Sequence, residues 1–123
     1  MKSFAALPLL AAALLLAGAS CRRQAATDAT QPLQQSFQTS EPEVQKAITT
    51  ATTGLKAGNY AEATRALAPV VTQRPLTDEQ RRAVGLALKQ LNDAIAANPS
   101  LDSKELYDLR ARMFKAVDSG PRF

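Results

Sequence analysis

The sequence contains no histidine and no tryptophan, and it has one cysteine among its 123 residues. Histidine is the commonest general base and a frequent metal ligand, and serine triads depend on it, so its absence removes the most frequent designs of hydrolase and metal site. A single thiol cannot form an internal disulfide or a multi-thiolate zinc site. No glycine-rich phosphate loop or nucleophile elbow is present. These absences predict a protein that is not an enzyme and holds no metal or cofactor.

Aromatic residues are also scarce, at 5% of the chain, although hydrophobic residues make up 46%. Much of that hydrophobic content is alanine, which favours helices packed closely through small side chains. The net charge is +4, but the lysines and arginines are scattered among acids rather than gathered in a stripe with stacking aromatics. The composition therefore predicts an all-α domain without a nucleic-acid partner.

The first twenty residues have the pattern of an export signal. Lys2 supplies a positive start, and an apolar run from Phe4 to Ala17 follows, interrupted only by Pro8. This run is too short for a comfortable bilayer span but suits the apolar region of a signal peptide. We therefore expect residues 1–20 to be a signal peptide.

Two cleavage sites compete at the end of this signal. Ala17-Gly18-Ala19 has the small residues that ordinary signal peptidase accepts, which would cut before Ser20 and release a plain secreted protein. The stretch Ala17 to Cys21 also resembles a bacterial lipobox, with Gly18 where that family usually has leucine. The resemblance implies cleavage between Ser20 and Cys21 and lipidation of Cys21, whose several acyl chains would hold the protein at a membrane.

The lipobox resemblance implies a place in the bacterial cell envelope. Arg22 is not the aspartate that is linked with retention at the inner membrane, so the periplasmic face of the outer membrane is favoured. Residues 21–39 are rich in Gln, Ala and Thr and show little apolar periodicity, with Leu33 and Phe37 isolated. We interpret this stretch as the lipidated cysteine followed by a flexible tether.

Residues 40–119 show the apolar periodicity of about four helices joined by short loops, followed by a tail at 120–123. We expect these helices near residues 41–57, 60–73, 78–97 and 103–118, with Pro69 kinking or ending the second. Each is preceded by a capping residue with Glu or Gln three positions later, which is the pattern of a capping box. The four pairs are Ser40 and Glu43, Asn59 and Glu62, Thr77 and Gln80, and Asp102 and Glu105.

The first two of these helices resemble a tetratricopeptide repeat. Ala63, Leu67, Val70 and Pro75 fall at the spacings of the small, large, small and proline positions in the second half of that repeat. The first half fits poorly, and the pattern is only partly continued by the third helix. The resemblance implies short antiparallel helical hairpins that bind another protein.

The hypothesis that follows is a lipid-anchored, non-enzymatic interaction module whose partner is another envelope protein or a second copy of the chain. We expect Tyr60, Arg65 and Leu67 to line its binding groove. Arg81-Arg82 and Arg110 with Arg112 could bind an anion or an acidic partner, although a solvated helix face is the preferred interpretation. The alternative function is a small structural or stress-related envelope lipoprotein without a dedicated groove.

Overall fold

The computed structural model describes residues 26–119, and this range is all-α, as the sequence predicts. The predicted signal peptide, its cleavage site at Ser20 and Cys21, and the tail at 120–123 lie outside the described residues. A 3₁₀ turn, Pro99–Leu101, lies between the last two of the five α-helices in this range. The helices are α1 Thr30–Ser36, α2 Pro42–Ala57, α3 Tyr60–Thr72, α4 Asp78–Ala97 and α5 Lys104–Asp118.

The five helices close into a ring around one core. Helix α1 packs against α2 and α4, α2 packs against α3, α3 against α5, and α5 against α4. Helices joined by a short connection usually pack on each other, but α3 packs on α2 and α5 rather than on α4. The five-residue connection between α3 and α4, residues 73–77, allows this because it carries the chain past the end of α3.

The closest helix contact joins α2 and α3 at Gly54. A Cβ atom placed on Gly54 would lie 2.9 Å from Cβ of Ala63 and 3.0 Å from the carbonyl oxygen of Asn59. Gly58 ends α2 in the left-handed conformation at φ 80°, which glycine adopts without steric cost, and its N–H donates to the carbonyls of the last turn. Small residues on both helices thus bring the two backbones together.

The predicted flexible tether is wrong in its second half, because residues 30–36 form α1. Leu33 is fully buried and Phe37 is 2% exposed, so the two apolar residues that look isolated in the sequence both belong to the core. The helix is held to α4 at both ends: Gln80 Nε2 donates to the Ser36 carbonyl at 3.1 Å, and Ala29 N–H donates to Gln90 Oε1 at 2.9 Å. Helices α1 and α4 therefore run antiparallel.

One of the four predicted capping boxes forms in full, that of Thr77 and Gln80 at the start of α4. Helix α5 is capped by Ser103, which accepts from the Leu106 N–H at 3.0 Å, because Asp102 instead pairs with Arg110 at 3.0 Å. No side-chain cap forms at Glu41 or Asn59, the residues that precede α2 and α3.

Pro69 does not end α3, which continues to Thr72. The proline lies on the exposed face of the helix, so its ring points away from the core. It removes one intrahelical donor but does not break the packing of Leu67, Val70 and Val71, which are all buried.

Candidate functional site

The three residues predicted to form a binding groove do not form one. Leu67 is 2% exposed and belongs to the core, Tyr60 packs partly buried against that core, and Arg65 is exposed and forms an ion pair with Glu105 of α5. Tyr60 and Leu67 are seven positions apart and share the inward face of α3. Arg65 is turned roughly 140° from Tyr60 at 100° per residue, so it points outward.

A large concavity lies between the C-terminal halves of α3 and α5 and the start of α4. It is a groove of about 900 Å³, which we call the basic groove. Its lining residues are Val71, Thr72, Arg74, Pro75, Leu76, Thr77, Asp78, Arg81, Arg112, Lys115, Ala116 and Ser119. Its size is in the range of ligand-binding clefts in proteins, which favours a binding role for this surface.

Two of the arginines noted in the sequence meet in the basic groove, and two do not. Arg81 of α4 and Arg112 of α5 both line it. Arg110 is instead held by the Asn92 amide oxygen at 2.7 Å and by Asp102, while Arg82 is exposed outside the groove. In each of the two pairs, one arginine therefore lies in the basic groove and the other lies outside it. Residues one or two positions apart on a helix face different directions.

Arg74 and Lys115 complete the cationic lining, and sequence reasoning did not select either. Lys115 lies three positions after Arg112, a spacing that places two side chains on one helix face and could have drawn attention to the pair. Arg74 lies in the connection between α3 and α4, where no periodicity indicates its direction. Val71, Leu76 and Ala116 supply the apolar part of the groove.

The basic groove and the start of the described chain lie beside different parts of α4. The chain reaches α1 beside Gln90, in the second half of α4, whereas the groove lies at the first turn of α4. Because Gln90 lies twelve residues after Asp78 on α4, the two points are about 18 Å apart along the helix axis.

A second exposed apolar surface lies on α5. Tyr107 and Phe114 are 61% and 64% exposed, and with Ala111 between them they flank a shallow depression beside Leu88 of α4. Neither side chain belongs to the buried core of the described residues. Large exposed apolar side chains on one helix face are typical of surfaces that contact other proteins.

The acidic side chains of the described range do not converge into a catalytic or metal-binding cluster. Residues 26–119 contain no group of three or more metal-ligating acids or thiols. Several of these acids form ion pairs instead: Asp78 with Arg81, Asp93 with Lys89, Asp102 with Arg110, Glu105 with Arg65, and Asp108 with Lys104.

One carboxylate has a perturbed affinity for protons. The hydroxyl and the backbone N–H of Thr30 lower the pKa of Asp28 below its ordinary value, since both favour the ionised form. The N–H donates to Asp28 Oδ1 at 2.9 Å. This contact begins α1 and lies far from the basic groove, so it indicates a structural role for Asp28.

Comparisons with known proteins do not add to this geometry. None of the helices in the described range is both long enough and apolar enough to span a bilayer. No model of a protein family, no curated protein and no solved structure matches the chain.

Proposed function

We propose that this protein is a lipid-anchored, non-enzymatic helical module of the bacterial cell envelope that binds another protein through the basic groove. Cys21 is the attachment point, residues 22–28 form the tether, and residues 29–119 form the binding domain. The observation that carries the proposal is the basic groove itself, a concavity of about 900 Å³ with cationic and apolar lining. A cleft of this size suits a protein that binds a partner.

We further propose that α2 and α3 are one tetratricopeptide-like unit. The close approach of Gly54 to Ala63 supports this, because such a repeat relies on small residues where its two helices meet. The remaining helices then cover the unit: α5 packs on α3 and α1 packs on α2. That arrangement leaves the ends of the helices, rather than a long concave face, for binding.

A photocrosslinking experiment in intact membranes tests the binding function. Benzoylphenylalanine at Thr72, an exposed residue of the groove wall, should give a discrete adduct with another envelope protein. The same group at Thr50, exposed on α2 outside the groove, is the control and should give none. An absence of any adduct specific to Thr72 would count against the proposal.

The anchor is tested separately by processing. Globomycin should block maturation, and the mature protein should carry a lipid mass that disappears in Cys21→Ser. A mature, unlipidated chain that begins at Ser20 would show an ordinary secreted protein instead.

The closed ring of helices favours one alternative, a small structural envelope lipoprotein without a dedicated partner. A closed bundle buries its apolar faces internally and needs no partner to cover them. The crosslinking pair at Thr72 and Thr50 separates the two functions, since a purely structural protein would give no adduct that depends on the groove position.

A further inference from the structure

The charges around the basic groove are strongly unequal. Four cationic side chains line it, Arg74, Arg81, Arg112 and Lys115, against the single carboxylate of Asp78. These cations come from the α3–α4 connection, from α4 and from α5, so no single helix accounts for them. A surface with this imbalance attracts negatively charged groups.

Two of the four cations already have acidic partners. Arg74 Nη1 lies 3.1 Å from Glu41 Oε1, and Arg81 pairs with Asp78. Arg112 and Lys115 are exposed and form no ion pair within residues 26–119. They are the positive charges that the groove leaves for a ligand.

Helix stability explains only part of this arrangement. Lys115 lies in the last turn of α5, where a cation stabilises the negative end of the helix dipole. Arg112 lies a turn earlier, and the dipole effect falls off beyond the last turn. Arg74 and Arg81 belong to other elements. A need for helix capping would not by itself gather all four around one groove.

The part of the groove between the cations is apolar. Val71, Leu76 and Ala116 line this part; Val71 is 2% exposed, and Leu76 and Ala116 are half-buried. A free inorganic anion would satisfy the cations but would leave this apolar surface in contact with water. The best-matched ligand therefore carries acidic groups and an apolar side chain together.

We propose that the basic groove binds an acidic amphipathic segment of a partner protein. This inference rests on the proposed binding function and specifies the chemistry of the partner. Carboxylates of the segment pair with Arg112 and Lys115, and an apolar side chain of the segment packs on Val71, Leu76 and Ala116. The planar guanidinium of Arg112 can donate two parallel hydrogen bonds to a carboxylate.

A protein segment fits better than an anionic membrane surface. A flat layer of head groups would reach the cations at the rim but not the buried Val71. This difference favours a ligand that projects an apolar side chain into a concave site.

The test measures binding of short fluorescent peptides to the full processed chain in neutral detergent. The first peptide has leucine at every third or fourth position and glutamate between, so that it presents one apolar and one acidic face. Two further peptides keep the leucines and replace glutamate by glutamine or by lysine. We expect the glutamate peptide to bind about tenfold more tightly than the glutamine peptide, with the difference falling as salt rises, and the lysine peptide not to bind.

Matched variants place the binding in the groove. Arg112→Gln with Lys115→Gln should weaken the glutamate peptide about five- to tenfold, as expected for two exposed ion pairs. Lys89→Gln with Lys104→Gln removes the same charge from exposed lysines outside the groove and should leave the affinity unchanged. Circular dichroism confirms that both double variants remain folded.

Several outcomes would overturn the inference. Equal binding of the glutamate and lysine peptides would show that the groove does not select its ligand by charge. Equal effects of the two double variants would show that the peptide does not bind in the groove. Vesicles of anionic lipid that bind through Arg112 and Lys115 when the glutamate peptide does not would indicate a membrane surface. A tenfold gain in peptide affinity on deleting residues 120–123 would make the chain's own C-terminal segment the occupant. If the Thr72 crosslink forms but the peptides show no charge preference, the binding function stands and only its proposed chemistry fails.

Discussion

The α2–α3 hairpin buries its large apolar side chains, whereas α5 buries two and exposes two. Val44, Ile48, Leu55, Leu67, Val70 and Val71 of the hairpin are all at most 6% exposed. In α5, Leu106 and Met113 are buried, but Tyr107 and Phe114 are more than 60% exposed. The hairpin thus supplies much of the core, and α5 contributes both to the core and to the surface.

The two regions therefore differ in whether packing accounts for their side chains. The residues of the hairpin are explained by packing, from the Gly54 contact to the inward face of α3. Packing does not explain the outer side of α5, which carries the exposed aromatics together with Arg112 and Lys115. We infer that substitutions in the hairpin change stability, whereas substitutions on the outer side of α5 change binding.

The largest expected contrast is between Leu67→Ala and Phe114→Ala. Leu67 is buried in the core, so its truncation leaves a cavity and should lower the free energy of unfolding by about 2 to 5 kcal/mol. Phe114 is 64% exposed, and its truncation should change that free energy by about 0.5 kcal/mol or less. Urea unfolding followed by circular dichroism measures both, and similar losses would show that α5 packs more tightly than its exposure indicates.

The two glycines of the helices provide a second contrast. In Gly54→Ala the new methyl group would lie within 3.0 Å of Ala63 and of the Asn59 carbonyl, and the overpacking should cost about 1 to 3 kcal/mol despite the better helix propensity of alanine. A methyl group at Gly85 meets no atom within 4 Å, so Gly85→Ala should stabilise the protein by up to about 1 kcal/mol. Thermal unfolding of the pair should therefore shift in opposite directions, and a stabilising Gly54→Ala would disprove the close contact in the hairpin.

Helix type and most helix bounds could be predicted from the sequence because they depend on local signals. Helix α4 spans Asp78 to Ala97 as expected, with its capping box and its apolar repeat in agreement. Helix α1 was missed because its seven residues make barely two turns. Leu33 and Phe37 form only one pair at a spacing of four, and one pair does not establish a helical repeat.

The basic groove could not be predicted because its residues become neighbours only after folding. Arg74, Arg81 and Arg112 come from three elements, and the sequence does not state that α5 packs beside the end of α3. The same limit applies to Phe114. It lies only about 80° around α5 from the buried Leu106, and the positions of α3 and α4 around α5 decide which of the two is covered.

The helix starts provide a smaller contrast between the hairpin and α4. Thr77 accepts from the Gln80 N–H at 3.1 Å, so Thr77→Ala should lower the free energy of unfolding by about 1 kcal/mol. Asn59 precedes α3 without a side-chain cap bond, and Asn59→Ala should cost no more than a few tenths of a kcal/mol, about the range of an ordinary surface substitution. Equal losses in chemical unfolding would mean that Asn59 does cap α3 in solution.

The smallest expected effect concerns α1, which contacts both α2 and α4 and so links the two regions. Thr30 lowers the pKa of Asp28, so ionised Asp28 stabilises the folded state at pH values above the ordinary aspartate pKa of about 3.9. This contribution should be lost as the pH falls from that value through the lower pKa of the folded state. Asp28→Asn keeps a capping side chain but cannot ionise, so it should be nearly neutral at pH 7 and should lack this part of the acid-induced loss. Unfolding free energies measured for both proteins between neutral and acid pH test this, and parallel pH profiles would show that the start of α1 does not depend on the Asp28 charge.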